Sequence, residues 1–370
     1  MEQAWAKETM QKVMNKMEQI LPAIGAGFPH ACKQDTYDSM HPSWWTNGFW
    51  PGMLWIAYQQ SGDEKFAKTA NEVEEKMDEV LESYVNVDHD AGFLWMPSAG
   101  AQYRLKQNEA SKIRCLKAAS YLASRFNLAG QFIQAWNSQD GWAIIDCTMN
   151  LTLLYWASEV TGNPRFRHIA VAHAKTVLKH FMRPDGSVNH VLSFDPENGE
   201  LIESIQGQAA SPDSAWSRGA AWAIYGLALS YRHTKDPEFL DGAKRAASYF
   251  LANLPEDYVA HWDFRVARNA DTPRDTSAAS CTACGLLEIA KHVPECEKEA
   301  YETAAVRMLK SLAENYSNLD NDKKQCILNE GTGHFTADQN VNVGLIYGDY
   351  FFVEALSRLL GNDDIFWYEP

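Results

Sequence analysis

The sequence predicts an all-α protein, built as an (α/α)6 barrel of helical hairpins, and three observations carry this prediction. Apolar residues recur three and four positions apart along most of the chain, whereas alternating, strand-like runs are short. Amphipathic segments alternate with segments that are apolar on all sides, as expected for outer and inner helices of a ring. The 370 residues leave room for about twelve helices of ordinary length with their loops.

The elements follow from this alternation. Segments with polar residues on one face are predicted to be outer helices, at 5–20, 64–83, 110–126, 164–181, 237–252 and 296–316. Segments rich in Trp, Ala, Gly and Leu are predicted to be inner helices, at 47–60, 143–160, 214–232, 275–291 and 343–360. Long stretches with many aromatic residues, His and Asp lead into the inner helices, at 28–46, 84–96, 127–142, 183–213 and 255–274. Because functional residues concentrate in long loops on a rigid scaffold, this end of the barrel is predicted to be the active end.

Three short joints between an inner and an outer helix share one pattern. They are Ser61–Phe66, Thr161–Phe166 and Thr234–Phe239. Each has a helix stop, an Asp or Asn that can cap the next helix, an early Pro or Glu, and a Phe that anchors the core. Their unequal separations argue against a strict solenoid and favour hairpins closed into a ring.

The composition is that of one globular domain over residues 1–370, because no linker or charge block divides the chain. The net charge of −15 disfavours binding to nucleic acid. No run approaches about eighteen apolar residues, and the N-terminus does not read as an export signal, so no membrane association is expected. Seven cysteines without paired spacing indicate free thiols in the cytoplasm. A monomer or a weak homodimer is expected.

Two aspartates at the predicted active end are candidate catalytic acids. Asp90 follows His89 in a turn that contains Gly92, and it is either a catalytic carboxylate or a turn and cap residue. Asp146 lies in an apolar run at the start of an inner helix. A buried carboxylate is unfavourable unless it is paired or protonated. Asp146 is therefore either a helix cap or an acid whose raised pKa suits proton transfer.

A third candidate group is Trp216, Arg218 and Trp222, which can project from the same end of one helix. The arginine either stacks structurally between the tryptophans or holds a substrate carboxylate while the aromatic rings lie against sugar faces. Thirteen tryptophans spread through loops and inner helices favour the second interpretation, although many of them must belong to the core.

The sequence offers little for metal or nucleotide chemistry. Cys281 and Cys284 have metal-like spacing, but they lie in an Ala-rich inner helix without a second ligand pair, and core packing is the better interpretation. The eleven histidines form no zinc motif, and neither a phosphate loop nor a nucleophile elbow is present. We therefore predict no metal and no cofactor.

Eight segments together resemble the unsaturated glucuronyl hydrolase family, and the resemblance extends from about Trp5 to Tyr368. The segments are Trp45-Thr46-Asn47-Gly48-Phe49-Trp50, His89-Asp90-Ala91-Gly92-Phe93, Ile133-Gln134-Ala135-Trp136, Ile144-Ile145-Asp146-Cys147, Phe194-Asp195-Pro196-Glu197-Asn198-Gly199, Trp216-Ser217-Arg218-Gly219, Pro273-Arg274-Asp275-Thr276-Ser277-Ala278 and Gly348-Asp349-Tyr350. The family has an (α/α)6 fold, acts on oligosaccharides released by polysaccharide lyases, and is typically cytoplasmic.

The resemblance implies a role for each matched residue. Asp146 would be the proton donor and base, and Asp90 would be its carboxylate partner. The other matched positions would contact the substrate, an unsaturated uronic acid di- or oligosaccharide: Trp45, His89, Trp136, His190, Gln208, Arg218 and Trp222. On spacing alone, His190 is a loop histidine and Gln208 a surface amide, so their implied roles rest on the resemblance.

The implied chemistry is hydration of the C4–C5 double bond of the sugar. Protonation of C4 creates an oxocarbenium-like centre at C5, and water adds there as a carboxylate removes its proton. The resulting hemiketal opens and releases the rest of the chain, without attack at the anomeric carbon as in ordinary glycosidases. An apolar environment and a charged Asp90 would both keep a proton on Asp146.

Two departures from the family pattern bear on the substrate. Ala220 stands where relatives often have Gln. Relatives that prefer sulfated fragments carry Ser-x-x-Ser-x-Lys where this chain has His334, Ala337 and Gln339, so unsulfated substrates are expected to be preferred. An unsaturated rhamnogalacturonyl hydrolase and a non-catalytic sugar-binding barrel remain as alternatives.

Overall fold

The computed structural model describes residues 2–83, 87–362 and 366–367. Six inner helical segments run in one direction: α2 (Phe49–Ser61), α5 (Ala91–Trp95) continued by a π-helical turn (Met96–Gly100) and α6 (Ala101–Lys106), α8 (Cys147–Thr161), α10 (Ser217–Thr234), α12 (Thr276–Ala290) and α14 (Ile346–Leu359). Each packs on the next, and α14 packs back on α2, so that the ring closes. The predicted (α/α)6 barrel is confirmed.

The outer layer alternates with these helices along the chain. It consists of α1 (Glu2–Ile24), α3 (Glu64–Lys76) with α4 (Asp78–Ser83), α7 (Glu109–Ser124), α9 (Pro164–Thr176) with a π-helical turn (Val177–Phe181), α11 (Pro237–Ala252) and α13 (Glu295–Asn315). The buried apolar side chains form a single core cluster from Ala6 to Trp367. Among the described residues, no helix is both long enough and apolar enough to cross a bilayer.

The joints have the predicted caps. Asp63, Asn163 and Asp236 each accept a hydrogen bond from the backbone N–H two residues ahead, at 3.0 to 3.2 Å. The phenylalanines that follow them, Phe66, Phe166 and Phe239, are buried. The side chain and backbone of each joint therefore fix where one helix stops and the next begins.

One inner helix was not predicted from the sequence. The stretch 84–96 was expected to be a loop, but α5 begins at Ala91 and continues through the π-helical turn into α6. The helical periodicity of this segment is interrupted by Gly92, Pro97 and Gly100, because Gly and Pro predict the end of a helix. Residues 84–86 of that predicted loop, and Tyr368, lie outside the described part of the chain.

Two inner helices begin later than predicted, because short strands precede them. Three small antiparallel sheets lie in the loops that enter the inner helices, in the strand orders β2-β1-β8, β3-β4 and β5-β6-β7. Their strands are β1 (Pro29–Lys33), β2 (Thr36–Ser39), β3 (Phe126–Asn127), β4 (Phe132–Ile133), β5 (Trp142–Ile144), β6 (Val191–Phe194), β7 (Leu201–Ile205) and β8 (Gly344–Leu345). Pairing with β6 and β1 keeps β5 and β8 extended just before α8 and α14.

The cysteines pack as predicted for free thiols. All seven are unpaired, and only Cys296 is exposed. Cys281 and Cys284 are fully buried in α12, which confirms that their spacing reflects core packing.

Candidate active site

Asp90 and Asp146 lie side by side at the active end of the barrel. Each directly precedes an inner helix, α5 and α8 respectively, and these two helices are in contact. Both residues are only 8% exposed. Two carboxylates so deeply buried must be paired, protonated or used for chemistry.

Asn150 connects the two aspartates. Its side-chain Nδ2 donates to Oδ1 of Asp90 and to the backbone carbonyl of Asp146, both at 3.2 Å, while its Oδ1 accepts the N–H of Phe93 at 2.7 Å. A Cβ at Gly92 would lie 2.6 Å from Cα of Asn150, so the close approach of α5 to α8 requires glycine there. Asn150 was missed in the sequence, although its position one helical turn after Asp146 in an apolar helix was a usable signal.

The His89 ring and the Asp90 carboxyl group face each other. Nδ1 of His89 lies 2.8 Å from the carbonyl oxygen of Ala135, so Nδ1 donates, and Nε2 faces Oδ1 of Asp90 at 3.3 Å. Burial raises the pKa of Asp90 to about 8. The neighbouring His89 lowers this pKa, whereas the negative charges of Asp88 and Asp146 raise it. Burial alone would lower the pKa of His89, but the neighbouring carboxylates, first of all Asp90, outweigh it and raise that pKa. Burial therefore favours a protonated Asp90 around neutral pH, whereas a charged Asp90 was expected to keep the proton on Asp146.

His190 faces Asp146, and its two ring nitrogens have the opposite donor and acceptor roles to those of His89. Its Nδ1 accepts the backbone N–H of Gln208 at 2.8 Å, so a neutral His190 carries its proton on Nε2, 3.4 Å from Oδ1 of Asp146. Among the described residues, neither this Nε2 nor this Oδ1 has a hydrogen-bond partner of good geometry. The Asp146 side chain also makes no helix-capping hydrogen bond. The structure thus argues against the alternative in which Asp146 is only a cap.

Arg218 is buried and connects several segments at the site through hydrogen bonds. Its Nη1 donates to Asp275 at 2.6 Å and to the carbonyl of Thr332 at 2.5 Å, and its Nη2 donates to Oε1 of Gln208 at 2.7 Å and to the carbonyl of Gly333 at 2.6 Å. These four bonds use all four terminal N–H groups. The guanidinium, which is predicted to hold a substrate carboxylate, thus also orients Gln208 and the segment at 332–333.

The predicted aromatic contacts divide into two groups. Trp45 and Trp136 are partly exposed, and Trp136 stands edge-on to His89 with ring centroids 5.5 Å apart. Trp222 is fully buried and packs behind Phe93 at 5.0 Å. It was expected to touch the sugar, but in this structure its ring has no surface to offer, because Phe93 and the surrounding helices cover it.

The loop before α14 reaches the site through His334. Its ring is hydrogen-bonded to the backbone of Gly207, and a Cβ at Gly207 would lie 2.1 Å from Nδ1 of His190. Burial lowers the pKa of His334 and outweighs the hydrogen bond to Gly207, which raises it, and the charge of Arg218 lowers it further, so that His334 is neutral at neutral pH. The sequence placed His334 only in a substrate loop, and its contact with the catalytic end was not foreseen.

One group of side chains has the composition of a cation site. Ligand atoms of Asp88, His89 and Asp90 lie within 4.8 Å of one another. Asp88 already accepts the N–H of Asp90 at 2.9 Å, and Nδ1 of His89 faces the carbonyl of Ala135. The raised pKa values of His89 and Asp90 favour their protonated forms, and a bound cation would have to displace these protons, so these residues fit proton transfer better than metal binding.

Comparison with known proteins gives consistent matches over nearly the whole chain. The model of Glycosyl Hydrolase Family 88 matches residues 6–357. The crystal structure of the unsaturated glucuronyl hydrolase of Bacillus sp. GL1, which is responsible for the degradation of glycosaminoglycan, superposes with a TM-score of 0.95 at 36% identity, covering 98% of this chain and 99% of that one. The unsaturated chondroitin disaccharide hydrolase of Streptococcus pyogenes serotype M1 is 38% identical over 91% of this chain and 86% of its own length.

A third relative is a variant of the Streptococcus agalactiae unsaturated glucuronyl hydrolase complexed with dGlcA-GalNAc6S. It has a TM-score of 0.88 at 34% identity and covers 99% of this chain and 94% of that one. With the paired aspartates at the ends of adjacent inner helices, these matches show that the chain belongs to glycosyl hydrolase family 88 and is an enzyme of the unsaturated glucuronyl hydrolase type.

Proposed function

We propose that this enzyme hydrates the C4–C5 double bond of a 4,5-unsaturated glucuronic acid at the non-reducing end of lyase-generated oligosaccharides, and so releases that sugar. The observation that carries the proposal is the pair of buried carboxylates, Asp90 and Asp146, each facing a histidine. Proton transfer is the chemistry that such a pair performs, because the charge on one carboxylate favours protonation of the other.

Asp146 is the proposed proton donor and base. Its Oδ1 makes no hydrogen bond to a described residue, whereas Oδ1 of Asp90 is engaged by Asn150 and His89. Asp146 would protonate C4 of the sugar, leaving an oxocarbenium-like centre at C5. A water molecule then adds to C5 and its proton returns to Asp146, or to the pair of His89 and Asp90. The hemiketal formed in this way opens and releases the leaving sugar.

Gln208 is a proposed contact to the carboxylate of the unsaturated sugar. Arg218 binds Oε1 of Gln208, and this fixes the orientation of the amide so that Nε2 can only donate elsewhere. Within the described part of the chain, no hydrogen bond from Nε2 is recorded. His190 supplies a second N–H at Nε2, and Arg218 supports the site by holding the Gln208 amide in place. Trp45, Trp136 and Trp222 would complete the sugar pocket as contacts or as its support.

The proposed substrate preference is for unsulfated sugars. The relative from Streptococcus agalactiae was crystallised with a 6-sulfated disaccharide. The segment 331–344 of this chain contains no Lys or Arg, His334 is neutral, and the exposed Asp338 would repel a sulfate. A cation from the end of α6 cannot substitute, because Lys106 lies at the opposite end of its inner helix and is paired with Glu64 at 2.8 Å.

We further propose that residues 1–370 form one catalytic domain without a cofactor, acting as a monomer or weak homodimer in the cytoplasm. The single core cluster supports one domain, and the free buried thiols suit a reducing compartment. An unsaturated rhamnogalacturonyl hydrolase would share the fold and the chemistry and would differ in the neighbouring sugar. A non-catalytic sugar-binding barrel would not require two buried carboxyl groups that interact electrostatically.

The test is the loss of near-ultraviolet absorbance of an unsaturated disaccharide, because hydration destroys the conjugated alkene. We expect turnover of unsaturated glucuronyl disaccharides from glycosaminoglycans and little turnover of pectin-derived rhamnogalacturonyl ones. The reverse preference would favour the rhamnogalacturonyl alternative. Binding of both substrates with no loss of absorbance would favour the non-catalytic barrel.

A further inference from the structure

Arg125, at the end of α7, joins the segment before Asp90 to the segment that follows β4. Its Nη1 donates to the carbonyl of Val87 at 3.2 Å, and its Nε and Nη2 donate to the carbonyls of Gln134 and Ala135 at 2.9 and 3.0 Å. The carbonyl of Arg125 in turn accepts the N–H of Gln134 at 3.0 Å. Because the planar guanidinium presents its donors in a fixed geometry, these bonds set the position of one segment relative to the other.

The carbonyl oxygen of Ala135 is the point where Arg125 is connected to the active site. This oxygen accepts the hydrogen bond from Nη2 of Arg125 and two more from His89, one from its backbone N–H at 3.3 Å and one from its ring Nδ1 at 2.8 Å. The guanidinium and the imidazole therefore meet on a single oxygen. A charged donor makes a stronger hydrogen bond than a neutral one, so Arg125 keeps this oxygen in front of Nδ1.

The start of β4 is held from a different helix. Nδ1 of the buried His173 accepts the N–H of Ile133 at 2.9 Å, and the hydroxyl of Thr176 donates to the carbonyl of Gln131 at 2.7 Å, both from α9. β4 is only two residues long, and Ala135 lies beyond its end. The short strand pairing does not extend to Ala135, so the position of this carbonyl depends on Arg125.

The position of the Ala135 carbonyl determines how His89 meets Asp90. A carbonyl can only accept, so it keeps a proton on Nδ1 of His89. Nε2 of the neutral ring then directs a lone pair at Oδ1 of Asp90, 3.3 Å away, and a protonated Asp90 can donate to it. With the proton on Nε2 instead, two donors would face each other. The carbonyl therefore keeps the ring in the form that can exchange a proton with Asp90.

We propose that Arg125 is a positioning residue for the proton-transfer reaction, and that it acts through the carbonyl of Ala135 to hold the His89 ring against Asp90. The bond from Arg125 to Val87 restrains the backbone that carries this ring, two residues before His89. The inference rests on the proposed function, and it adds to the two aspartates the residue that maintains one of their histidine contacts.

The experiment measures kcat and KM for an unsaturated glucuronyl disaccharide as a function of pH in wild-type enzyme, Arg125→Gln and Arg125→Lys. We expect kcat of Arg125→Gln to fall about ten- to a hundredfold, with a smaller rise in KM, because a misplacement of about 1 Å can cost a hundredfold in rate. kcat of Arg125→Lys should fall as well, since a single ammonium group cannot bridge the three carbonyls.

The pH profile separates the geometry of Arg125 from its charge. The charged and titratable groups around the imidazole are Asp88, Asp90, Asp146, His173 and Arg125. Loss of the one cation in this group favours protonation of its neighbours. The limb of the kcat profile that reports His89 and Asp90 should therefore move to higher pH in Arg125→Gln, by about half a unit to one unit. It should stay at the wild-type pH in Arg125→Lys, which keeps the charge.

Arg167→Gln is the matched control, because Arg167 is an exposed arginine on the outer helix α9. It should change neither kcat nor the pH profile. A wild-type kcat in Arg125→Lys would overturn the inference, and so would a loss in Arg125→Gln that only matches the fraction of unfolded protein seen by circular dichroism. If Arg125→Gln does not fold, kcat of Arg125→Lys decides. Wild-type enzyme without turnover would contradict the proposed function, whereas fully active Arg125 variants would contradict this inference alone.

Discussion

Replacing Asp90 by Asn should make the protein more stable and almost inactive at the same time. The folded protein holds Asp90 in a buried site that raises its pKa from 3.8 to about 8. Asn has the same shape, keeps the oxygen that accepts from Asn150, and carries no charge to bury. The substitution therefore removes an unfavourable carboxylate without opening a cavity.

The magnitude follows from the pH window between these two pKa values. Between pH 3.8 and about pH 8, the folded state holds a proton on Asp90 that the unfolded state has lost. Stability of the wild-type protein must therefore fall as the pH rises through this window, by at most about 1.4 kcal/mol per pH unit. Because His89 offsets part of the effect, we expect Asp90→Asn to raise the free energy of unfolding at pH 7 by about 1–3 kcal/mol. For a chain of 370 residues, that corresponds to an increase in Tm of about 1–4 °C.

Thermal unfolding of wild type and Asp90→Asn at pH 5, 7 and 8 tests this reasoning. The difference in Tm should be small at pH 5 and should grow towards pH 8. Asp241→Asn, an exposed aspartate on α11, is the control and should show no such trend. kcat of Asp90→Asn should fall at least about a hundredfold, because the carboxyl group that can take up and release a proton beside Asp146 is gone. A variant that is less stable than wild type at pH 8, or a gain that does not depend on pH, would refute the assignment of a raised pKa to Asp90.

Three further outcomes are expected. Asp146→Asn should lower kcat at least about a hundredfold while substrate still binds, as measured by turnover and by binding titration; near-normal turnover would remove Asp146 as the proton donor. Dialysis against a chelator should leave turnover unchanged, because His89 and Asp90 favour their protonated forms and a cation would have to displace these protons; activity lost on dialysis and restored by a divalent metal would contradict this. A singly sulfated disaccharide should have a kcat/KM about ten- to a hundredfold below its unsulfated counterpart, whereas equal values would show that sulfate finds another cation.

The sequence was sufficient for the architecture because the periodicity of apolar residues survives in most helices. Eleven of the twelve helical segments of the barrel were predicted to within a few residues, and the exception is the one that begins at Ala91. There the close contact with Asn150 demands Gly92, and a π-helical turn interrupts the regular spacing. At this point a tertiary contact determines the residue type, so rules based on local sequence do not predict the helix.

The sequence predicted the two aspartates of the site, but it predicted much less about the residues that they contact. Asp146 stands out in the sequence as a charged residue in an apolar run. The ring nitrogen of His190 that faces Asp146 is determined by a hydrogen bond from the backbone of Gln208, which is distant from Asp146 in the sequence. The sequence also suggested Arg218 as a ligand for the substrate. Its four bonds to other parts of the protein come from residues between 10 and 115 positions away, which no spacing argument reveals.

Those bonds connect the loop before α14 to Gln208, the proposed contact to the unsaturated sugar. Arg218 holds the carbonyls of Thr332 and Gly333 at the start of the loop that carries Phe335, and the same guanidinium holds Gln208. Asp275 neutralises Arg218 in a fully buried pair, and breaking such a pair leaves an uncompensated charge. Changes that shift Thr332 or Gly333 must move Gln208 as well, and these should affect every substrate.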